Sequence, residues 1–401
     1  MSFVVAQREE SKLPGRRRLS EAELSILLDS HTRALAGKGG KLAKLPFVDF
    51  SGFDLSGRHL SGADFTGSVF DGAILTGARL DGANLSGCDL RRADLRGADL
   101  RKANLRGANL SGANLSGADL AGVDLRPGVV AKPHPTKGLP AVVEESRAGA
   151  VDGANLGGAN LDGSRLDGLY AAGADFSDAS LKGAVLYDSN LKGANLSGAF
   201  LARAEVSGAT LDDAQFRGAD LEGVMLAAAR TQGARLEGAV EAPTRDVIAR
   251  AAKLVEMARA HDAWVGSGGQ AGAPACLDGA DLRPAADQLK GLKLTAISAK
   301  GACLAGLDLE GVQLQGANLE GADLRGASLR SADLRGVRLP GADLTRADLT
   351  GAVISTLTLA AGRATPADLS GARLRYACLE GARLAGALLD GADLRGAKLP
   401  R

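Results

Sequence analysis

Apolar and polar positions along this chain follow neither of the two common periods. From Ala83 to Leu125 a leucine recurs every five residues, a small residue stands two places before it, and Asp or Asn precedes it nine times in succession. An amphipathic helix spaces apolar residues by about 3.6 positions and a half-buried strand by about two, so a strict five predicts a different, self-repeating unit. With leucine as its centre, side-chain alternation puts the centre and the small residue two before it on the same inner side. The two residues after the centre fall at a bend, where Gly takes positive φ without a clash. Asp or Asn before the centre bonds nearby backbone amides in the turn. Each pentapeptide thus reads as one short side of a polygon.

Units of this form, A(D/N)LXX, resemble those of the pentapeptide-repeat family, and the resemblance spans roughly 280 of the 401 residues. It implies an all-β solenoid, a right-handed quadrilateral β-helix with four pentapeptides to a coil, in which residues twenty apart stack. The implied ladders are Phe50, Phe70, Leu90, Leu110 on one face and Phe65, Leu85, Leu105, Leu125 on another, and every rung is apolar. A resemblance of this kind speaks to fold more than to function.

Along the chain the expected organisation has four parts. Residues 1–45 form an N-terminal arm and a capping helix. Residues 1–17 are polar and basic and read as a mobile arm, whose Arg16, Arg17 and Arg18 suit either a solvated tail or an anionic partner. The helix is signalled by a capping box of Ser20 and Glu23 and by Leu24, Leu27, Leu28 and Leu35 at helical spacing. It covers the strand edges and open core of the first coil. Residues 46–241 form the first β-helix, with centres in register from Phe50 to Leu125 and again from Leu156 in a register moved by one residue. Ala171 and Thr231 are weak units. Between the two registers, residues 126–153 carry four prolines and no centre in register, which predicts a surface loop. Such a loop is either a tolerated insertion or a partner-binding element.

Residues 242–276 read as a second helix, capped by Thr244 or Asp246 and carrying Val247, Ala251, Leu254 and Met257 on one face, followed by a Gly-rich turn. Leu24 stands seven before His31 and Leu254 seven before His261, which suggests an internal duplication of helix, turn and β-helix. The paired histidines read as satisfied helix-end residues rather than catalytic ones. Trp264, the single tryptophan, reads as a plug over the first coil or as an interface anchor. Residues 277–401 form the second β-helix segment, with a local bulge near 354–366 and Glu310 and Arg330, twenty apart, expected as neighbours.

Composition narrows the functional classes. With 55 Gly and 12 Pro the chain stays below the ~25 to 30 % that marks a disordered low-complexity sequence. Its 48 Lys and Arg against 47 acidic residues leave a net charge of +1, which favours neither a nucleic-acid binder nor an acidic decoy. Arg91, Arg96, Arg101 and Arg106 follow successive centres and so predict a basic belt around one coil. Cys88, Cys276, Cys303 and Cys378 have no zinc-type or disulfide spacing, and Cys88 replaces an inward small residue, as a buried thiol would. No stretch approaches the ~18 apolar residues of a membrane span, so a soluble cytoplasmic protein without membrane contact is expected.

No phosphate-cradling, zinc-protease or nucleophile-elbow motif occurs, and aromatics at 3 % argue against base stacking on single strands. No catalytic, cofactor or metal residues are assigned. The expectation is a non-enzymatic scaffold for a protein partner, with Arg126, Lys132, His134 and Lys137 of the loop and Trp264 as candidate contacts. The last coil, with no helix after it, suggests homo-oligomers by edge-to-edge pairing. The resemblance also implies an alternative, DNA mimicry at gyrase, which requires a distinctly acidic surface.

Overall fold

The computed structural model of the chain describes residues 16–134, 138–359 and 363–400, with the backbone alone described at 130–134 and 138–145. Two compact units are formed, Met1–Glu241 and Ala242–Arg401. Each is a right-handed quadrilateral β-helix built on the five-residue unit.

One unit, Ala83 to Gly87, shows why the pattern folds this way. Leu85 N–H donates to Asn104 O at 2.8 Å and Gly87 N–H to Arg106 O at 2.9 Å in the next coil, while Asn84 N–H donates back to Ala63 O at 2.9 Å. Cys88 N–H closes the corner on Leu85 O at 3.1 Å. The one amide these bonds leave over, Ser86 N–H, donates to the Asn84 side-chain oxygen at 3.3 Å. Asp or Asn before the centre is therefore selected by a backbone group that would otherwise lack a partner. Gly87 follows with φ of 66°, a left-handed conformation that most side chains resist. Only the Gly87 carbonyl takes no part in the repeating pattern.

In the first unit, strand β1 (Arg17–Arg18) pairs in parallel with β2 (Val48–Asp49), and helix α1 (Glu21–Leu35) lies between them in sequence. Residues 1–15 of the expected arm lie outside the described residues. Arg16, Arg17 and Arg18, expected as a solvated tail, are instead bonded to Gly67 O, Glu23 and Ser51 O. α1 begins with the expected capping box, Ser20 and Glu23 each accepting the other's amide. Its buried face is Leu24, Leu28 and His31, whereas Leu35 is exposed. The ladder residues Phe50, Phe70, Leu90, Leu110, Phe65, Leu85, Leu105 and Leu125 are all buried. One core runs from Leu19 to Leu221, through both repeat blocks.

The interruption departs from the expected irregular loop. Gly128–His134 (β3) and Gly138–Arg147 (β4) form an antiparallel hairpin, and the lattice resumes one unit before Leu156, at buried Val151. Asn109 bridges Ala150, forty-one positions on rather than twenty, so coils close over the insertion without a gap. The resuming unit reads Gly149, Ala150, Val151, Asp152, Gly153. Glycine stands where the signature has its small alanine, alanine where it has Asp or Asn, and valine at the centre, so the unit does not stand out beside four prolines.

In the second unit, helix α2 (Arg245–Gly266) is capped by Thr244, whose hydroxyl accepts Val247 N–H at 3.4 Å. Its buried face is Ala251, Val255, Ala258 and His261, rotated from the expected stripe, with Leu254 and Met257 only partly buried. The bulge near 354–366 is a two-stranded hairpin, β5 (Leu357–Thr358) with β6 (Ala364–Thr365); residues 360–362 lie outside the described residues. Arg338 accordingly bridges Asp368, thirty positions on. Glu310 and Arg330 do not pair with each other: Glu310 takes Lys290 at 2.7 Å and Arg330 takes Asp348 at 2.9 Å.

Candidate interaction surface

The outer faces are neutralised by a local rule. Wherever the sequence reads Asp-Leu-Arg, the arginine after the centre folds back on the aspartate before it as a two-pronged fork. Arg91 on Asp89 shows it, with Nε to Oδ1 at 2.8 Å and Nη2 to Oδ2 at 2.6 Å. Arg96, Arg101 and Arg126 repeat it on Asp94, Asp99 and Asp124, as do Arg283, Arg325, Arg335 and Arg395 in the second unit. The side-chain bond to arginine holds Asp94 and Asp99 below the usual carboxylate range. The expected basic belt is therefore cancelled at three of its four members. Arg106 follows Asn104 rather than Asp, and its guanidinium turns instead to Pro127 O at 3.0 Å. Replacing Asp89, Asp94 and Asp99 together by Asn keeps the turn-accepting oxygen but takes the forked carboxylate from three guanidinium groups, of which Arg101 keeps Asp119 at 3.7 Å. That variant is expected to elute from heparin at higher salt than the parent, by on the order of 0.1 M.

A second arrangement gathers at one edge of the first unit. The carbonyls left over by the lattice stack there at Gly67, Gly87, Gly107 and Pro127, and a guanidinium meets each. Arg16 donates to Gly67 O. Arg147, the last residue of β4, donates to Gly107 O at 2.6 Å and to Gly87 O and Cys88 O at 3.2 Å. Arg106 completes the row at Pro127 O. The hairpin root is thus bolted to coils forty and sixty residues earlier. Gly128 is needed for this closeness, since an added Cβ would stand 2.7 Å from the Arg106 carbonyl carbon.

Of the residues expected to contact a partner, Arg126 is engaged with Asp124 at 2.7 Å and is not offered outward. Lys132 and His134 lie on β3, and His134 pairs with Gly138. Lys137 lies outside the described residues. Trp264 is half-buried against the Gly-rich turn, 5.6 Å from the His261 ring, and a Cβ added at Gly269 would stand 3.4 Å from its indole nitrogen. The plug over the first coil is made instead by Val255 and Ala258, which face the core while Trp264 sits at the helix end. The last coil leaves Leu388 and Leu399 exposed.

The two histidines do the same job in both units. His31 Nδ1 accepts Ala43 N–H and His261 Nδ1 accepts Ala275 N–H, each at 3.0 Å, so each ring fixes the chain entering its first coil. His31 is fully buried, and its Nε2 finds no partner among the described residues. Burial, with a smaller effect of His59, lowers its pKa from the ordinary 6.5. Because the unfolded chain then takes up the proton first, this contribution is complete above pH 6.5 and declines as pH falls through the folded value. The urea midpoint of the first unit should accordingly fall between pH 7.5 and 5, with a slope of at most about 1.4 kcal/mol per pH unit from this one group. His31→Gln should flatten that part of the profile; an unchanged slope would refute the assignment. Cys88 is likewise buried, donates to Phe65 O at 3.0 Å, and burial pushes its thiol up to about 12.

Among the described residues no helix is long and apolar enough to cross a membrane. No curated protein matches the chain. Among solved structures, a pentapeptide-repeat protein of the Arabidopsis thaliana thylakoid lumen is 30 % identical over 26 % of this chain and 72 % of its own, with a TM-score of 0.22. HetL of Nostoc sp. strain PCC 7120, a pentapeptide-repeat protein involved in heterocyst differentiation regulation, is 21 % identical over 94 % of this chain and 96 % of its own, with a TM-score of 0.16. QnrB1, a plasmid-mediated fluoroquinolone resistance protein, is 18 % identical over 48 % and 90 %, with a TM-score of 0.27. The family model for pentapeptide repeats matches residues 44–87, 88–126, 152–188, 189–226, 293–330, 327–355 and 367–401. With more than half of its length accounted for in this way, the chain belongs to the pentapeptide-repeat family.

Proposed function

We propose that this protein is a non-enzymatic scaffold whose partner-binding element is the hairpin β3–β4. The observation that carries the reading is the way the hairpin is mounted. Leu110 N–H reaches Ala150 O at 2.7 Å, so the lattice closes across the insertion and does not need it. Its root is nonetheless tied to earlier coils through Arg147 and Arg106. An element that the core does not require, yet which is held in a defined place, suits recognition better than stability. Lys132, His134 and Lys137 are its proposed contacts. The forks on Asp89, Asp94, Asp99 and Asp124 weigh against DNA mimicry at gyrase, because they interrupt any continuous acidic face. Four free thiols, with Cys276 exposed, fit a reducing compartment such as the cytoplasm.

The test compares the full chain with a variant in which residues 128–147 are replaced by a short Gly-Ser link, each cross-linked in native lysate and analysed by mass spectrometry. A partner captured by the full chain and lost from the variant, with melting temperature within about 2 °C, supports the reading. Equal capture by both forms overturns it.

A further inference from the structure

The first coil has no coil before it, and its sides are not covered alike. In the lattice, the residue before each centre gives an amide to the preceding coil and takes one from it, as Ile74 N–H donates to Phe53 O and Leu55 N–H to Ile74 O. On the side of Asp49, β1 stands in for the missing neighbour, and Leu19, next after β1, is buried in the core as a centre would be. The following side, Phe53 to Ser56, has no such cover. Among the described residues Asp54 N–H finds no acceptor, and the carbonyls of Asp54 and Ser56 find no donor.

A groove of about 880 Å³ lies between this bare edge and α1. That is the size of an ordinary ligand site, about 300 to 1,000 Å³. Its lining includes buried Leu24, Leu28 and Leu55, and half-buried Phe53, whose ring centre is 5.1 Å from the Arg18 guanidinium. The second unit closes the same place with its own backbone. There the corresponding side is a 3₁₀ turn, Arg283–Ala285, against which α2 packs, and Arg259 of α2 donates to the Gln288 side chain at 3.4 Å. The groove is therefore particular to the first unit and not general to the lattice.

We infer that this groove binds the chain's own residues 3–6 as an added strand on the Phe53 to Ser56 edge. Phe3, Val4, Val5 and Ala6 form the longest apolar run in the first fifteen residues. Aromatic and β-branched residues suit a strand, and alternation lets Phe3 and Val5 share the face toward Leu24, Leu28 and Leu55. The length of chain allows it. Arg18 lines the groove two residues after Arg16, and the ten residues from Ala6 to Arg16 reach up to about 35 Å. β1 is the precedent, a short strand from the same end of the chain already seated on the neighbouring side. The inference is independent of the role proposed for the hairpin.

The test is hydrogen exchange of the full chain at single-residue resolution over Phe53 to Arg58. Phe53, Leu55, Gly57 and Arg58 already donate to backbone carbonyls, and Ser56 N–H donates to the Asp54 side chain. Asp54 N–H is thus the one amide of this stretch whose rate the arm can change. It is expected to exchange about tenfold or more slowly in the full chain than in Phe3→Asp with Val5→Asp, as a hydrogen-bonded amide does beside a free one. His59 N–H, on the next side of the same coil and likewise without an acceptor among the described residues, should exchange at one rate in both. If the added charges lower the melting temperature by more than about 2 °C, Phe3→Ser with Val5→Ser replaces them and the same acceleration is expected. Fast exchange of Asp54 in the full chain, equal rates in chain and variant, or an equal acceleration at His59 would overturn the inference. So would protection that grows with protein concentration between about 1 and 100 µM, which would assign the groove to a second copy.

Discussion

Phe70→Ala is expected to destabilise the first unit by about 3–5 kcal/mol, the range for emptying a fully buried aromatic site. Phe70 has no exposed surface, stacks on Phe50 with centroids 4.8 Å apart and planes at 15°, and meets Phe65 edge-on at 5.3 Å. The three rings fill the first two coils at the α1 end of the core. Because each coil contacts only the next, collapse around the cavity is limited and the loss falls on one end of the stack. Urea unfolding followed by far-ultraviolet circular dichroism, with hydrogen exchange to locate the change, reads the effect. Exchange should accelerate first at Phe50 to Leu80 and hardly at all in the second unit. Leu236→Ala, at a centre that is 41 % exposed, should cost less than about 1 kcal/mol. Equal losses from the two substitutions would sink this account of where the core lies.

The features legible in the sequence are those that depend on neighbours within a few residues or at a fixed repeat. The centre every five residues, the small residue two before it and the Asx before it all follow from one unit's own hydrogen bonds, which is why Ala171, a poor centre by size, is still fully buried. Ser20 and Glu23 are local in the same sense. The Asp-Leu-Arg forks are open to the same reasoning, since two residues on one outer face of an extended segment stand side by side. Reading Arg91, Arg96 and Arg101 as a belt of free charge overlooks Asp89, Asp94 and Asp99, each two positions earlier.

The interaction surface is legible only in part, because its contacts join residues far apart in sequence. Four prolines mark residues 126–153 as an interruption, yet β3 and β4 pair in a register that proline density obscures. Nothing near Arg147 announces that it reaches Gly87, sixty residues back, since a carbonyl in a turn has no sequence signal of its own. The duplicated histidines are visible as a pattern, but their role depends on the missing neighbour of a first coil, which is a property of the assembled lattice.

That missing neighbour gives the second large expected effect. In the lattice, the amide before each centre donates to the preceding coil and the carbonyl after it accepts from that coil. The first coil of the second unit has no such neighbour, and α2 supplies side chains in its place: Asp262 Oδ1 accepts Lys293 N–H at 2.8 Å, and His261 Nε2 donates to Thr295 O at 3.0 Å. With Nδ1 accepting Ala275 N–H, one ring satisfies two strands at once. His261→Ala is therefore expected to cost about 2–5 kcal/mol, as two half-buried backbone groups lose their partner and a buried ring leaves a cavity. Asp262→Ala, which removes one exposed bond, should cost about 1 kcal/mol. The measurement is hydrogen exchange of Leu277 to Leu304 beside that of the first unit, together with the thermal transition of each. If His261 acts as a substitute coil, exchange should speed up from the capped end inward, because each coil is held by its neighbours and an unpaired first rung loosens the second. If both units shifted together, or if His261→Ala matched Asp262→Ala, the ring would be ordinary helix packing and the capping account would fail.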